Sequence, residues 1–250
     1  MYEFRHVTIS RSPLGFQRRC LDVPTLTTCL LLFVLLFAPL EPTVGLSQEP
    51  ASPGTPTPTP NQSERELFWE GDRLSDWTVS EFGSQREVKQ LEGGIEIQAG
   101  YPLSGIQSTA KEWPRHDYEI EWEFQRVEGN DFPCCLTFPV GDSHCSVVIG
   151  GWGGTLVGLS CIEGQDAAHN DTAKHLVFEN GKWYRARLRV QGEQIRCWID
   201  DKEVISRDIQ GQKLSVRNEV QLSRPLGICS FETTARIRSF RIYRLGSQEK

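Results

Sequence analysis

Three carboxylates occupy alternate positions in the segment 118–124, which reads YEIEWEF. Strict alternation of apolar and acidic residues has the period of a half-buried β-strand. Glu119, Glu121 and Glu123 are therefore expected on one face of the strand, with the aromatic and aliphatic side chains in the core. Two carboxylates on one face can flank a glycosidic bond as acid and as nucleophile or base. The segment is a candidate catalytic stripe, with Glu121 at its centre.

The same stripe has a simpler structural interpretation. Arg185, Arg187 and Arg189 alternate with apolar residues in a second predicted strand. Opposite charges that face each other across two strands are mildly favourable, so this row would form a charge ladder with the carboxylates. The acidic pattern also resembles the Glu-x-Asp-x-Glu strand of the laminarinase-type retaining glycosidases, with Glu121 at the aspartate position. The charge ladder is favoured over direct glycosidase activity.

A second group of candidates surrounds the run Gly-Gly-Trp-Gly-Gly at 150–154. Glycines on both sides of Trp152 leave its ring open as a platform on which a sugar can stack, although the ring can equally cover a tight turn whose glycines only supply positive φ angles. His144 is a candidate general base near neutral pH, and Asp142 is a candidate for orienting it. The alternative for His144 is a polar surface residue beside a turn.

A polar loop at 164–172 contributes further candidates for substrate binding, because binding residues often lie on loops held by a rigid scaffold. Asp166 and Asn170 are the two selected here, and a solvated loop without a binding role is the alternative. The chain has no CxxC or HxxxH spacing, so no metal site is predicted. It also has no glycine-rich phosphate loop, and no cofactor is predicted.

The elements that must position these residues are predicted to be short antiparallel strands. The segments 176–179 and 182–185 flank Asn180-Gly181, a pair that favours a two-residue hairpin turn. Alternating rows follow at 184–190, 195–199 and 203–205, which predicts a meander. Strand-like runs with turns between them continue along the domain, and none has a helical period. This pattern is typical of an all-β sandwich or barrel.

One predicted strand contains an irregularity. Ala235 and Ile237 have one parity in the last strand, whereas Phe240 and Ile242 have the other. A single extra residue in a strand changes the parity of everything after it. The sequence therefore predicts a β-bulge near Ser239.

The N-terminal quarter is expected to lie outside this domain. Residues 1–47 combine an arginine-containing leader with an apolar run, which predicts a secretory signal or an N-terminal membrane anchor, and in either case export. Residues 48–66 are rich in proline and predict a disordered, extended tether. Residues 67–250 form the predicted folded domain. Its location is expected to be periplasmic or extracellular, with membrane contact confined to the N-terminal segment.

Charge and cysteine content restrict the partners further. The formal net charge is −6, and the chain has no block of lysine and arginine, which argues against a nucleic-acid partner. Six of the eight cysteines fall in the predicted domain. Export would permit disulfides, but six cysteines allow 15 pairings and the sequence does not choose among them.

Several strand motifs together resemble one known family. They are Leu67-Phe68-Trp69 with Trp77, the strand 118–122, Gly181-Lys182-Trp183 leading into 195–204, and Arg238-Ser239-Phe240-Arg241-Ile242. These motifs are similar to those of the 3-keto-disaccharide hydrolases, also called 3-keto-glucoside lyase/hydratases. The resemblance implies a concanavalin A-like, two-sheet antiparallel jelly roll and a carbohydrate partner.

The resemblance also implies a specific reaction. A ketone at C3 of a glucoside acidifies the C2 proton, so that a base can remove it, the aglycone leaves from C1, and water adds to the resulting glycal. Such a site needs a base, an acid and donors for the enediolate. Glu121, Asp131 and His144 are the candidates for these roles, and Trp152 is the candidate sugar platform. The alternative hypothesis is a non-catalytic module that binds a carbohydrate or a protein.

Overall fold

Two antiparallel sheets pack face to face in the computed structural model, which describes residues 65–246. In chain order the strands are β1 (Arg65–Glu70), β2 (Trp77–Val79), β3 (Val88–Leu91), β4 (Gly94–Ile97), β5 (Leu103–Ser108), β6 (Tyr118–Glu128), β7 (Cys134–Val140), β8 (Ser143–Gly150), β9 (Leu156–Ser160), β10 (Lys174–His175), β11 (Trp183–Gln191), β12 (Gln194–Ile199), β13 (Lys202–Asp208), β14 (Gly227–Phe231) and β15 (Thr234–Leu245). The described helices are short: 3-10 turns at Leu74–Asp76 and Asn218–Ser223 and one helical turn at Gly151–Gly154.

The strand order defines the two layers. The eight-stranded sheet runs β13-β12-β11-β6-β15-β4-β3, with β1 also paired to β15. The seven-stranded sheet runs β10-β9-β8-β7-β14-β5-β2. All these pairings are antiparallel, so the predicted all-β, two-sheet jelly-roll sandwich is confirmed.

The core lies between the sheets and is built from alternate side chains of each strand. In β6 the side chains of Tyr118, Ile120, Trp122 and Phe124 are almost fully buried, as the alternation predicts. Phe240 packs at the centre of an aromatic group, with its ring centroid 5.3 Å from that of Trp77, 5.8 Å from that of Trp69 and 6.3 Å from that of Trp122. This burial fixes which face of each strand points outward.

The predicted bulge in the last strand is present. The register of β15 against β6 shifts between Arg238 and Arg241, and Ser239 has a φ of 54°. Ile237 and Phe240 are both buried on either side of this shift, although they have opposite parity in the sequence. The bulge therefore keeps one continuous core face along β15.

The hairpin predicted across Asn180-Gly181 is wrong. Residues 176–182 form no strand, and β11 begins at Trp183 and pairs with β6 instead. Arg126 of β6 holds this segment through hydrogen bonds. Its Nε donates to Asn180 Oδ1 at 2.6 Å, and its guanidinium also donates to the carbonyl of Phe178. Phe178 is buried in the core between the sheets. The rest of the meander, β11-β12-β13, is formed as predicted.

The predictions for residues 1–47 and most of 48–66 fall outside the described residues. β1 already begins at Arg65, so the last two residues of the predicted tether belong to a strand. None of the helices between residues 65 and 246 has the length and apolar character needed to cross a membrane. The six cysteines of this range are all buried free thiols, and burial raises the pKa of Cys145 and of Cys197 to about 12.

The buried carboxylate of Glu119 generates a stability prediction. Its side chain is 1% exposed and lies 2.7 Å from Arg189, 2.9 Å from Arg65 and 3.4 Å from Arg187. Removing the charge leaves three arginines without their shared partner. Because these arginines are partly solvated, we expect Glu119→Gln to lower the free energy of unfolding by about 2 kcal/mol, less than for a fully buried pair.

Urea denaturation measures this loss. The matched control is Glu203→Gln, which breaks a surface pair with Arg196, since the Glu203 side chain is 33% exposed. We expect a change of at most about 0.5 kcal/mol for this control. Equal losses in the two variants would contradict a special role for Glu119.

Candidate functional site

The acidic row of β6 forms ion pairs on the outer face of the eight-stranded sheet, but the predicted charge ladder is only partly present. Arg187 and Arg189 both pair with Glu119, whereas Arg185 pairs with Asp201. β6 lies between β11 and β15 and so has an arginine-bearing strand on each side. Glu121 pairs with Arg65, and Glu123 pairs with Arg238 at 2.6 Å. Each carboxylate of the row is therefore neutralised by a neighbouring cation. Glu121 lies on the opposite side of the sandwich from Trp152, which is carried by the other sheet.

A pocket of about 280 Å³ opens on the outer face of the seven-stranded sheet. Its lining is mainly apolar and includes Leu103, Phe132, Val148, Phe231 and the indole of Trp152. The polar groups at the pocket include three charged side chains, those of Asp131, Arg217 and Glu219. An apolar pocket with a few convergent polar groups is the usual form of a small-molecule site. We refer to it as the Trp152 pocket.

The backbone around Trp152 places its ring at the edge of this pocket. Gly150, Gly153 and Gly154 have φ values of 76°, 82° and 100°, and Trp152 itself has a φ of 48°. A side chain at Gly154 would meet Arg126 Nη1 at 2.7 Å and the carbonyl oxygen of Asn130 at 2.7 Å. The glycines thus allow a tight turn against the sheet, and 43% of Trp152 stays exposed.

Asp131 holds this turn in place. Its Oδ2 accepts a hydrogen bond from the backbone N–H of Gly153 at 3.0 Å, and its Oδ1 accepts one from the N–H of Phe132 at 2.8 Å. Both carboxylate oxygens therefore fix local backbone. Asp131 lines the pocket, as predicted for a member of the site, but its hydrogen bonds serve to position Trp152.

Arg217 connects the pocket to the neighbouring loop. Its guanidinium lies 2.7 Å from Asp166 and 2.7 Å from Glu219, and its centre is 6.0 Å from the ring centroid of Trp152. The hydrogen bond between Arg217 and Glu219 raises the pKa of the arginine and lowers the pKa of the Glu219 carboxyl. Glu219 is therefore ionised at neutral pH, next to a fixed positive charge.

The loop residues that were predicted to bind substrate instead form hydrogen bonds that fix the conformation of the loop. Asp166 accepts hydrogen bonds from Ala168 N–H at 3.0 Å and from Arg217. Asn170 donates to three backbone carbonyls, among them that of Leu159 at 2.8 Å, and its Oδ1 accepts from Thr172. Asp166 reaches the Trp152 pocket only through Arg217, and Asn170 is satisfied within the loop.

His144 lies in a different cleft. It shares that cleft with Arg115 and Arg224, and neither Asp131 nor Trp152 lines it. Asp142 is exposed in the turn between β7 and β8 and forms no hydrogen bond with His144 among the described residues. The proposed orienting role of Asp142 therefore has no contact to support it.

The structure brings together only part of the predicted set. Asp131 and Trp152 share the pocket, Asp166 touches it through an arginine, and Glu121 and His144 lie elsewhere. Sequence reasoning missed Arg217 and Glu219. Both lie shortly before Val220, in a segment that lacks the alternating period of a strand, so the sequence carries no signal for them. Residues 65–246 contain no cluster of three or more His, Cys, Asp or Glu side chains placed to bind a metal ion.

The environment of His144 predicts a pH effect on stability. Burial, followed by the positive charges of Arg115 and Arg224, lowers the pKa of His144 from its ordinary value of 6.5. Between the lowered value and about 6.5, the unfolded chain binds more protons than the folded one, so acidification favours unfolding in this window. We expect wild-type protein to lose more stability than His144→Gln when the pH is lowered from about 7 to about 5.

Urea denaturation at a series of pH values measures this difference, because the other titrating groups are common to both proteins. Parallel loss of stability in the two proteins would contradict the lowered pKa.

Several solved structures align with about 70% of this chain. A carbohydrate-binding module of Bacillus subtilis aligns at a TM-score of 0.47 with 15% identity over 67% of this chain and 94% of that one. A putative glycosyl hydrolase of Parabacteroides distasonis aligns at 0.46 with 10% identity over 73% and 94%. Domain 4 of the extracellular arabinanase AbnA of Geobacillus stearothermophilus, in complex with arabinotriose, aligns at 0.42 with 12% identity over 69% and 84%.

No curated protein sequence matches the chain. The family described as the 3-keto-alpha-glucoside-1,2-lyase-like domain matches residues 64–243, which cover nearly all of the described sandwich. The predicted family resemblance is therefore confirmed over most of the chain. This protein belongs to the 3-keto-alpha-glucoside-1,2-lyase-like domain family, a family of carbohydrate-active domains.

Proposed function

We propose that the Trp152 pocket binds a saccharide and that the protein is a lyase or hydrolase acting on 3-keto-glycosides. The observation that carries this proposal is the placement of Trp152. A large aromatic ring is held open to solvent beside an apolar floor and three charged groups. Membership of the family supports the proposed substrate class, and the exposed indole beside the pocket supports the proposed location of the site.

The backbone of Trp152 argues for a binding role over a packing role. A left-handed conformation costs a residue with a Cβ roughly 1–2 kcal/mol, and only glycine adopts it freely. The two flanking positions on each side are glycine, so a fifth glycine would suit the turn better. Strained residues of this kind concentrate at functional sites. Trp152 therefore contributes something other than stability, and an exposed indole face beside a pocket suits the apolar face of a sugar ring.

The charged side chains of the pocket supply complementary chemistry for the hydroxyls and the ketone. Arg217 presents N–H donors, and Glu219 presents a carboxylate that is ionised at neutral pH and is held by Arg217. In the proposed reaction Glu219 removes the C2 proton, and Arg217 donates hydrogen bonds to the enediolate oxygen that forms at C3. The aglycone leaves from C1 with the bonding electrons and takes up a proton, and water then adds its oxygen at C1 and a proton at C2.

A non-catalytic sugar-binding module is the second candidate, and one observation favours it. The carboxylates at the pocket already accept hydrogen bonds from the protein: Asp131 from two backbone N–H groups and Glu219 from Arg217. A pocket built this way binds a sugar without needing a free base. The laminarinase-type alternative has no such support, because Glu119, Glu121 and Glu123 each pair with arginine.

Export remains part of the proposal and rests on the sequence of residues 1–47 alone. Its apolar run follows a leader with four arginines, which is the order of a secretory signal. Fractionation of expressing cells tests this, and recovery of the protein from the cytosolic fraction alone would contradict it.

Purified full-length protein tests the function with a 3-keto-glucoside and the corresponding unoxidised glucoside. We expect turnover of the oxidised sugar only, because only the C3 ketone acidifies the C2 proton. Trp152→Gly removes the ring without straining the turn, and we expect it to weaken binding at least about tenfold while changing stability by less than about 1 kcal/mol. Glu219→Gln should abolish turnover and retain binding.

Asp201→Gly is the matched control, because Asp201 also has a positive φ, of 64°, but lies in the turn between β12 and β13 of the other sheet. It should leave binding and turnover unchanged. Titration calorimetry separates the two candidates. Binding that depends on Trp152 without turnover of either sugar would establish the module, and neither binding nor turnover would overturn both.

A further inference from the structure

A second, larger cleft lies beside the Trp152 pocket. It has a volume of about 630 Å³ and contains His144 at the start of β8. Ser146 and Val148 line the Trp152 pocket from the same strand, two and four residues further along. Alternate residues of a strand share one face, so both cavities open on the same face of the seven-stranded sheet. The segment 217–225 contributes side chains to both and separates them.

The charge of this His144 cleft is unusual for the molecule. Lys111, Arg115 and Arg224 line it, with Glu112 as the acidic residue of the lining. Within residues 65–246, none of these three cations forms an ion pair, whereas most arginines of the opposite sheet, with the exceptions of Arg126 and Arg244, are paired with carboxylates. Counting side-chain charges with His144 neutral, the cleft is positive in a chain of net charge −6.

The two guanidiniums are held by the backbone instead of by acids. Arg115 Nη1 donates to the carbonyl of Gly141 at 2.8 Å, and the N–H of Gly141 donates back to the carbonyl of Arg115 at 3.0 Å. Arg224 Nε donates to the carbonyl of Gln221 at 3.3 Å. Each guanidinium has five N–H donors, so these contacts orient it and leave most donors available.

The surroundings of His144 reflect the positive electrostatic potential of this cleft. The Nε2 atom of His144 is buried and has no hydrogen-bond partner among the described residues, although buried polar atoms are nearly always bonded. Arg115 and Arg224 both act on its ring and, together with burial, lower its pKa. Two positive charges therefore act on an imidazole ring whose Nε2 has no hydrogen-bond partner among the described residues.

We propose that the His144 cleft binds an oxyanion group carried by a saccharide, either a sulfate ester or a uronate carboxylate. Guanidinium groups recognise planar or tetrahedral oxyanions through charge-assisted hydrogen bonds. The oxyanion specificity stands on the cleft itself, and the saccharide carrier rests on the proposed function of the neighbouring pocket. Three cations in an acidic molecule are too few for a nucleic-acid backbone, whose binding needs many phosphate contacts.

Titration of the full-length protein with three tetrasaccharides tests the proposal: a neutral galactan, its sulfated counterpart and a galacturonate. We expect at least one anionic sugar to bind more tightly than the neutral one, with an advantage that falls as salt is raised. Arg115→Gln and Arg224→Gln should each reduce that advantage about tenfold and leave neutral binding unchanged. Arg86→Gln is the matched control, because Arg86 is exposed, forms no ion pair among the described residues and lies outside both lining sets.

The outcomes separate the two proposals. Preference for the sulfated sugar or for the galacturonate identifies the group, and a rise in the pKa of His144 on binding, measured by NMR, places it in the cleft. Equal binding of all three sugars, or equal effects of Arg86→Gln and Arg224→Gln, would overturn the inference. Trp152→Gly should weaken the neutral sugar as well. If it leaves anionic binding intact and the 3-keto-glucoside is neither bound nor turned over, the oxyanion site stands and the proposed function fails.

Discussion

The structure depends on one constraint: β6 must bury its alternate side chains between two sheets while its other face stays charged. The strand lies in the middle of the eight-stranded sheet, so it cannot shift by one residue without moving Trp122 and Phe124 out of the core and three carboxylates into it. Arginines of β1, β11 and β15 reinforce the register, because together they give each outward carboxylate a partner. The ion pairs and the buried face of that sheet therefore stabilise the fold. The outer surface of this sheet is largely an ion-pair network, whereas the Trp152 pocket and the His144 cleft are lined by residues of the other sheet.

The features predicted from sequence are those set by local alternation. The strand at 118–124, the rows of the meander and the parity change at Ser239 each depend on neighbours in the chain, and each is present. The hairpin at Asn180-Gly181 fails because a residue far away in sequence, Arg126, bonds that segment. Turn propensity describes only the local choice, and a distant guanidinium overrides it.

The residues of the candidate site likewise divide into those with a local sequence signal and those without one. Trp152 was identified from sequence because four glycines around a tryptophan are a local signal. Arg217 and Glu219 gave no such signal, since their role depends on the segment 217–223 crossing the outer face of the seven-stranded sheet. Glu121 and His144 were grouped with Trp152 by residue type alone. Glu121 lies on the other sheet, and His144 lies on the same sheet face as the Trp152 pocket but in a different cleft, and neither separation can be read from residue type.

The two cavities of the seven-stranded sheet are best understood as one surface divided by one segment. His144, Ser146 and Val148 follow one another at alternate positions of β8, so the His144 cleft and the Trp152 pocket are separated by roughly 7–13 Å of rigid strand. The dividing segment carries Arg217 and Glu219 toward one side and Arg224 toward the other. A ligand with repeating units can therefore contact both cavities, with an indole for its apolar face and guanidiniums for its substituents. One short segment thus supplies charged groups to both cavities, and the alternation of β8 sets the spacing between them.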